Sequence, residues 1–256
     1  MSEPVHYKIE PLTQIGLLRQ CVEIQREAWG FSEEDIVPVR MLVVCGKIGG
    51  QVFGAIDSRG KVLGFLNAFP GFREGKLYLH SQMMGVMPKF QNLGIGKQLK
   101  LAQREEALRR GISRIEWTFD PLDVRNARFN IEILAVICRR FLVNTYGITS
   151  SHLQAGLPTD RLVAEWFLDS PRVTERIRDN GGKKIESGCQ SVELPLDIGR
   201  LKAENPELTL EIQLEVRRRL LSLLDEGHCV TRFEIDKVCD KARYWLEPFG
   251  ESILNP

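Results

Sequence analysis

The chain has 256 residues, 43% hydrophobic and 27% charged, with a net charge of +1 at pH 7. That suits one large soluble domain, or a medium domain plus a smaller one. Lys and Arg form no long run, so nucleic acid is not expected as the main partner; no apolar run approaches the roughly 20 residues of a membrane span, so no membrane partner is expected either.

In chain order, Val5 to Glu10 alternates as a strand does, and Thr13 to Trp29 reads as a helix with Ile15, Leu18, Val22 and Ile24 on its apolar side. Ser32-Glu33-Glu34-Asp35 reads as a second helix start with Ser32 as N-cap. The apolar runs Gln51 to Ile56 and Lys61 to Phe69 flank Asp57-Ser58-Arg59-Gly60 and predict a hairpin. A strand follows over Lys76 to Val86, then a helix over Lys97 to Arg110 with Leu99, Ala102 and Leu108 on one side. Ile112 to Phe119 is the next strand, and Asp123 caps a helix running to about Arg140. Phe141 to Gly147 and Arg161 to Leu168 predict a final pair of strands.

From Ser170 on, an added lobe is expected, with a turn at Asn180-Gly181-Gly182 and a strand over Cys189 to Leu194. A helix over Leu208 to Leu224 and a hairpin built from Val230 to Ile235 and Arg243 to Leu246 complete it. The domain reading is therefore 1–169 for the main domain and 170–256 for an extension packed on it. Arg217-Arg218-Arg219 reads as a solvated helix face. Cys21, Cys45, Cys138, Cys189, Cys229 and Cys239 are scattered, with no Cys-x-x-Cys pair, so most are expected to be reduced core thiols and a metal is not expected. With no signal pattern in MSEPVHYKIEPL, the cytoplasm is the expected address.

The most informative stretch is Gln91-Asn92-Leu93-Gly94-Ile95-Gly96, between a strand closed by Met87-Pro88 and a helix. Such a turn leaves backbone N–H groups pointing one way, and the helix dipole adds positive potential there. Glycines at 94 and 96 allow close approach of an anion. A P-loop is excluded because Gly96-Lys97 is followed by Gln98, and a dinucleotide turn because position 99 is Leu.

What remains, Gln-x-x-Gly-x-Gly after Val86-Met87-Pro88, resembles the pyrophosphate-binding motif of the GNAT superfamily, the acyl-CoA-dependent N-acetyltransferases. The order of elements from residue 5 to about 169 is similar to that of the family as well. The resemblance implies an α/β fold with a mixed sheet, GNAT-like, followed by a C-terminal α/β extension. It also implies acetyl-CoA as acyl-donor co-substrate, with no metal. In the family the strands on either side of the motif's helix splay apart at their C-terminal ends, and the pantetheine arm lies in that gap. Carried over, Met84, Gly85 and Val86 contact the pantetheine, while Gln91, Asn92, Leu93, Gly94, Ile95, Gly96 and Lys97 wrap the pyrophosphate. Asn126 resembles the family's CoA-contacting Asn, and Leu134-Ala135-Val136 its Leu-Gly-Phe. As side chains, Met83 and Met84 read as core filler.

Transfer to an amine needs a proton acceptor, a donor to the thioester oxyanion and an acid for the departing thiolate. His80, Ser81 and Gln82 interrupt one apolar strand; Glu116, Thr118 and Asp120 share a face of another. Glu116 and His80 are the candidate bases, against the plain readings of an ion pair with a neighbour such as Arg114 and of a hydrogen-bonded core histidine. The family's proton-donating Tyr falls here on Phe129, Asn130 or Ile131, which makes Tyr146 the nearest substitute acid. Asp160-Arg161 and Glu165-Trp166 either read the acceptor or form a surface salt bridge beside a core Trp. Three functions follow: acetyl transfer to a small-molecule or protein amine, a silent module that binds acyl-CoA as sensor or scaffold, or an interaction protein without ligand. The added lobe is expected to cover the acceptor end of the site or to serve a homodimer contact.

Overall fold

The structure, a computed structural model, describes residues 5–147, 156–179 and 189–254. These residues divide into two compact units, one running to Ile115 and the other beginning at Glu116. The architecture is mixed α/β, as the sequence predicts.

The first unit comprises β1 (Tyr7–Pro11), α1 (Ile15–Trp29), α2 (Val39–Lys47), β2 (Gln51–Asp57), β3 (Val62–Arg73), β4 (Lys76–Val86) and α3 (Ile95–Arg109). Its strands lie in the order β1-β2-β3-β4, each pair antiparallel. One face is covered by α1 and α2 through Leu18, Ile24 and Leu42 against Phe65 and Met87. The other is covered by α3, whose Ile95 and Leu99 pack on Phe53, Leu63 and Leu66. The predicted β2–β3 hairpin forms, and Asp57 closes it by accepting from the amides of Arg59 and Lys61 at 2.9 Å each.

In β4, Met83 opposes Asn67 and Ser81 opposes Ala68, so Gln82 is an extra residue. This bulge turns Gln82 and Met83 to the side of α1 and α2, where Gln82 Oε1 accepts from Asn67 Nδ2 at 2.9 Å and Met83 joins the core. Further along, a Cβ on Gly85 would lie 2.9 Å from Trp29 Cη2, so only glycine lets α1 sit this close to the strand.

The helix expected from Ser32 does not start there. The Ser32 carbonyl accepts from the Asp35 amide at 3.1 Å in a turn, and α2 starts at Val39. Pro38 decides this, because the residue before a proline is pushed out of the helical region while Pro itself suits a helix entrance.

The second unit holds β5 (Arg114–Phe119, from Glu116), α4 (Val124–Ala127), β6 (Ile137–Leu142), β7 (Arg161–Phe167) and α5 (Pro171–Asp179). It continues with β8 (Gln190–Pro195), α6 (Ile198–Glu204), α7 (Pro206–Asp225), β9 (His228–Asp236) and β10 (Lys241–Pro248). The strand order is β5-β7-β6-β9-β10-β8. Cys138 of β6 pairs with Val230 of β9, so the strands after Ser170 extend the same sheet.

Asp123 caps α4 as predicted, its Oδ1 accepting from the Asn126 amide at 2.9 Å. The helix does not reach Arg140, however. It widens into a π-helical turn over Arg128–Ile133, and Ala135 then takes the left-handed conformation with φ 58°. Arg172 Nε donates to the Ala135 carbonyl at 3.1 Å and holds the turn, so 137–142 becomes strand in place of the expected 141–147. The helices α5 and α6 are additional to the predicted elements. The turn expected at Asn180-Gly181-Gly182 lies outside the described residues.

Candidate functional site

At the end of β4 the chain makes a short 3₁₀ turn over Pro88–Phe90, with the Phe90 amide donating to the Met87 carbonyl at 2.8 Å. Asn92 (φ 63°) and Gly94 (φ 80°) are both left-handed, which aims the loop into α3. Gly94 is the N-cap residue and supplies no side-chain cap. Gly94 thus offers the first turn of α3 no capping oxygen from a side chain of its own, and the dipole favours an anion in front of it. Asn92, Leu93 and Gly94 are exposed, Gln91, Gly96 and Lys97 half-buried, and Ile95 anchors the helix in the core.

Gln91 plays a bracing part: its Nε2 donates to the Val86 carbonyl at 3.2 Å, tying the loop back onto the strand. Met84 and Val86 pack on the α3 side and Gly85 faces α1, so the three residues differ in what their side chains do. His80 lies opposite Phe69, on the side of α1 and α2. Ser81 points the other way, where its Oγ accepts from Lys100 Nζ at 2.9 Å and from Gln103 Nε2 at 3.4 Å.

In the second unit Glu116 is 2% exposed and its Oε2 accepts from Arg140 Nη2 at 2.7 Å. The ion-pair reading of Glu116 thus holds, with Arg140 as partner; Arg114 instead faces Glu74 at 3.4 Å. Glu165 is gripped by Arg139 through two bonds of 2.8 Å, and Arg140 lies 3.8 Å from it. A register shift in β6 between Ile137 and Arg140 brings both arginines to these carboxylates. Glu165 and Trp166 are both buried, so neither is a surface group. Asn126 Oδ1 accepts from Asn130 Nδ2 at 3.2 Å, and Asn130 Oδ1 accepts from Trp117 Nε1 at 3.2 Å, which fixes the Asn126 amide through a relay.

Tyr146 is exposed, and its hydroxyl lies 3.2 Å from Thr118 Oγ1 at the end of β5. The Arg161 guanidinium sits 5.5 Å from the Tyr146 ring centroid. Asp160 does not pair with Arg161 side chain to side chain; it takes two bonds from Arg217, at 2.8 and 3.0 Å. Of the arginine triplet, Arg218 does lie on the solvated face with Glu215, whereas Arg217 faces inward and Arg219 donates to the Ser191 carbonyl at 3.0 Å. The inner side of α7 is formed by Thr209, Gln213, Val216 and Leu220, whereas Leu210 and Leu214 are exposed. Among the described residues no group of three or more His, Cys, Asp and Glu side chains is placed to hold a metal ion, and no helix is long and apolar enough to cross a membrane.

Residues 18–129, which include the Gln91–Gly96 loop and Asn126, match the acetyltransferase (GNAT) family model. Over those residues the chain is similar to the GNAT acetyltransferases. Solved structures agree in fold. NAA60 of Arabidopsis thaliana in complex with acetyl-CoA has a TM-score of 0.51 at 14% identity, over 63% of this chain and 98% of its own. The smu.2055 protein of Streptococcus mutans UA159 gives 0.51 at 17% identity, over 63% and 99%. A protein of Acinetobacter baylyi ADP1 gives 0.53 at 15% identity, over 67% and 97%. None of the curated proteins matches this sequence. The GNAT match ends at 129, so Tyr146, Asp160 and Arg217 all lie beyond it.

Proposed function

We propose that the GNAT domain transfers an acetyl group from acetyl-CoA to the amine of a small molecule or protein. The observation that carries this reading is the uncapped start of α3 behind the left-handed Asn92 and Gly94, which presents amides to a pyrophosphate. Gln91 to Lys97 hold that group, Met84 to Val86 the pantetheine, and Asn126 donates its side-chain amide to the cofactor. In the reaction the amine loses a proton, attacks the thioester carbonyl, and the thiolate leaves with a proton from Tyr146. His80 takes the amine proton directly or through water; Glu116, held by Arg140, accepts it only by sharing that bond. The NatC complex bound to Gag peptide and CoA is among the similar folds, so a peptide amine belongs in the panel of acceptors. Six cysteines with no disulfide among them suit a reducing compartment such as the cytoplasm.

Calorimetry with acetyl-CoA and a free-CoA release assay with an amine panel test the reading. Gly96→Glu sets a side chain and a negative charge against the pyrophosphate and is expected to abolish measurable binding in a folded protein. Unchanged affinity in that variant would sink the site. The second reading, a silent acyl-CoA sensor, is favoured by the engagement of Glu116 with Arg140, and binding without CoA release from any amine would select it.

A further inference from the structure

The segment between β6 and β7 carries Tyr146, and its described parts are tied together by backbone and side chain. The Tyr146 amide donates to Thr159 Oγ1 at 2.8 Å, the Thr145 amide to the Thr159 carbonyl at 2.9 Å, and the Asn144 amide to Asp160 Oδ1 at 3.1 Å. The Thr159 amide returns a bond to Asn144 Oδ1 at 3.1 Å. Asp160 is 1% exposed and is clasped by both Nε and Nη2 of Arg217 on α7. One turn earlier on the same helix, Gln213 Nε2 donates to the Pro158 carbonyl at 2.7 Å.

A buried ion pair is weak evidence of net stability, since apolar groups of similar volume often serve as well or better. What a forked guanidinium on a carboxylate does supply is fixed geometry. Here the fixed point is Asp160, which itself holds Asn144, and Asn144 with Thr159 frames the backbone of Tyr146. Ring and hydroxyl are then set by Arg161 and Thr118.

Resting on the reading of Tyr146 as proton donor, we propose that Arg217 and Asp160 are positioning residues for it. Helix α7 braces the β6–β7 segment through Asp160, and this keeps the Tyr146 hydroxyl against Thr118 at the end of β5. The C-terminal extension thus belongs to the support of the acid.

The test compares Tyr146→Phe with the paired variant Arg217→Met/Asp160→Asn, which removes both charges and leaves neither buried alone. Arg217→Lys keeps the charge but loses the fork, and it serves where the paired variant fails to fold. On an amine found in the panel, Tyr146→Phe should lower kcat and remove the basic limb of its pH profile. The paired variant should lower kcat by roughly 100-fold, as misplacement of a reacting group does, with the KM for acetyl-CoA unchanged. Adding Tyr146→Phe to it should cause no further loss, and Arg217→Lys should fall between it and the parent. If the braced variants keep kcat while Tyr146→Phe loses it, the brace is wrong and the acid stands. If Tyr146→Phe keeps both kcat and pH profile, the acid reading fails and the brace with it.

Discussion

Ionisable side chains are buried in both units, but their surroundings differ. In the unit that ends at Ile115, Lys100 of α3 is 2% exposed and donates to two neutral oxygens, Ser81 Oγ at 2.9 Å and Gln103 Oε1 at 3.0 Å. Burial pushes its amine well below the usual lysine range. In the other unit Glu116, Glu165 and Asp160 are equally buried, and each faces an arginine at 2.7 or 2.8 Å. One solution sets the ionisable group against neutral oxygens and the other against a guanidinium. The first costs proton affinity and demands little geometry; the second fixes side chains in space, which is useful beside residues that must meet a substrate.

The largest effect should come from breaking one kept pair. Arg139→Met leaves Glu165 with Arg140 alone, 3.8 Å away, and should destabilise the fold by about 3 kcal/mol, the lower end for a broken buried pair because the guanidinium is partly exposed. Arg139→Met/Glu165→Gln should recover most of that in urea denaturation; equal losses in the two variants would show that the charge itself is not what the arginine offsets.

Lys100→Met sharpens the other side of the comparison. A lysine whose folded pKa is depressed carries no penalty above its unfolded pKa of about 10.4, and the penalty builds as pH falls from there toward the folded value. The parent should therefore gain stability from pH 7 to 10 more steeply than Lys100→Met, and the two curves should approach each other at the alkaline end. Parallel curves in thermal melts would mean that Lys100 stays charged in the fold.

A smaller effect is expected where no charge is involved. Ala135 is left-handed at φ 58° and fully buried, held by Val136 N to the Asn130 carbonyl at 3.2 Å and by Arg172. Ala135→Gly removes a strain of order 1–2 kcal/mol but adds freedom to the unfolded chain, so the net gain is about 0.5–1 kcal/mol, read as a rise in melting temperature. A loss instead would show that the methyl packs better than the backbone suffers.

What was legible in the sequence was local. The Gly94 turn into α3, the Asp57 turn and the Asp123 cap each rest on a few neighbouring residues, and all three form where the sequence predicts. The end of the helix after Asn126 was not legible, because a left-handed alanine depends on Arg172, 37 residues away. The partner of Glu116 depends on strand order and on a bulge, neither of which alternation along one strand reveals. Arg217 looked like its two neighbours; only the inward turn of α7 onto Asp160, 57 residues distant, sets it apart.

The pairing of Cys138 with Val230 gives β6 a neighbour supplied from after Ser170. A chain shortened to end at Leu168 would lose that neighbour and present a bare edge of unpaired amides and carbonyls, a ready template for another copy. It would also uncover Cys138, now 0% exposed, whose thiol burial keeps protonated and inert. Light scattering of such a shortened chain should report growing particles, and a reductant alone should not stop them, because the backbone edge is the stickier of the two. The late strands thus guard the protein against self-association, whatever else they do for the reaction.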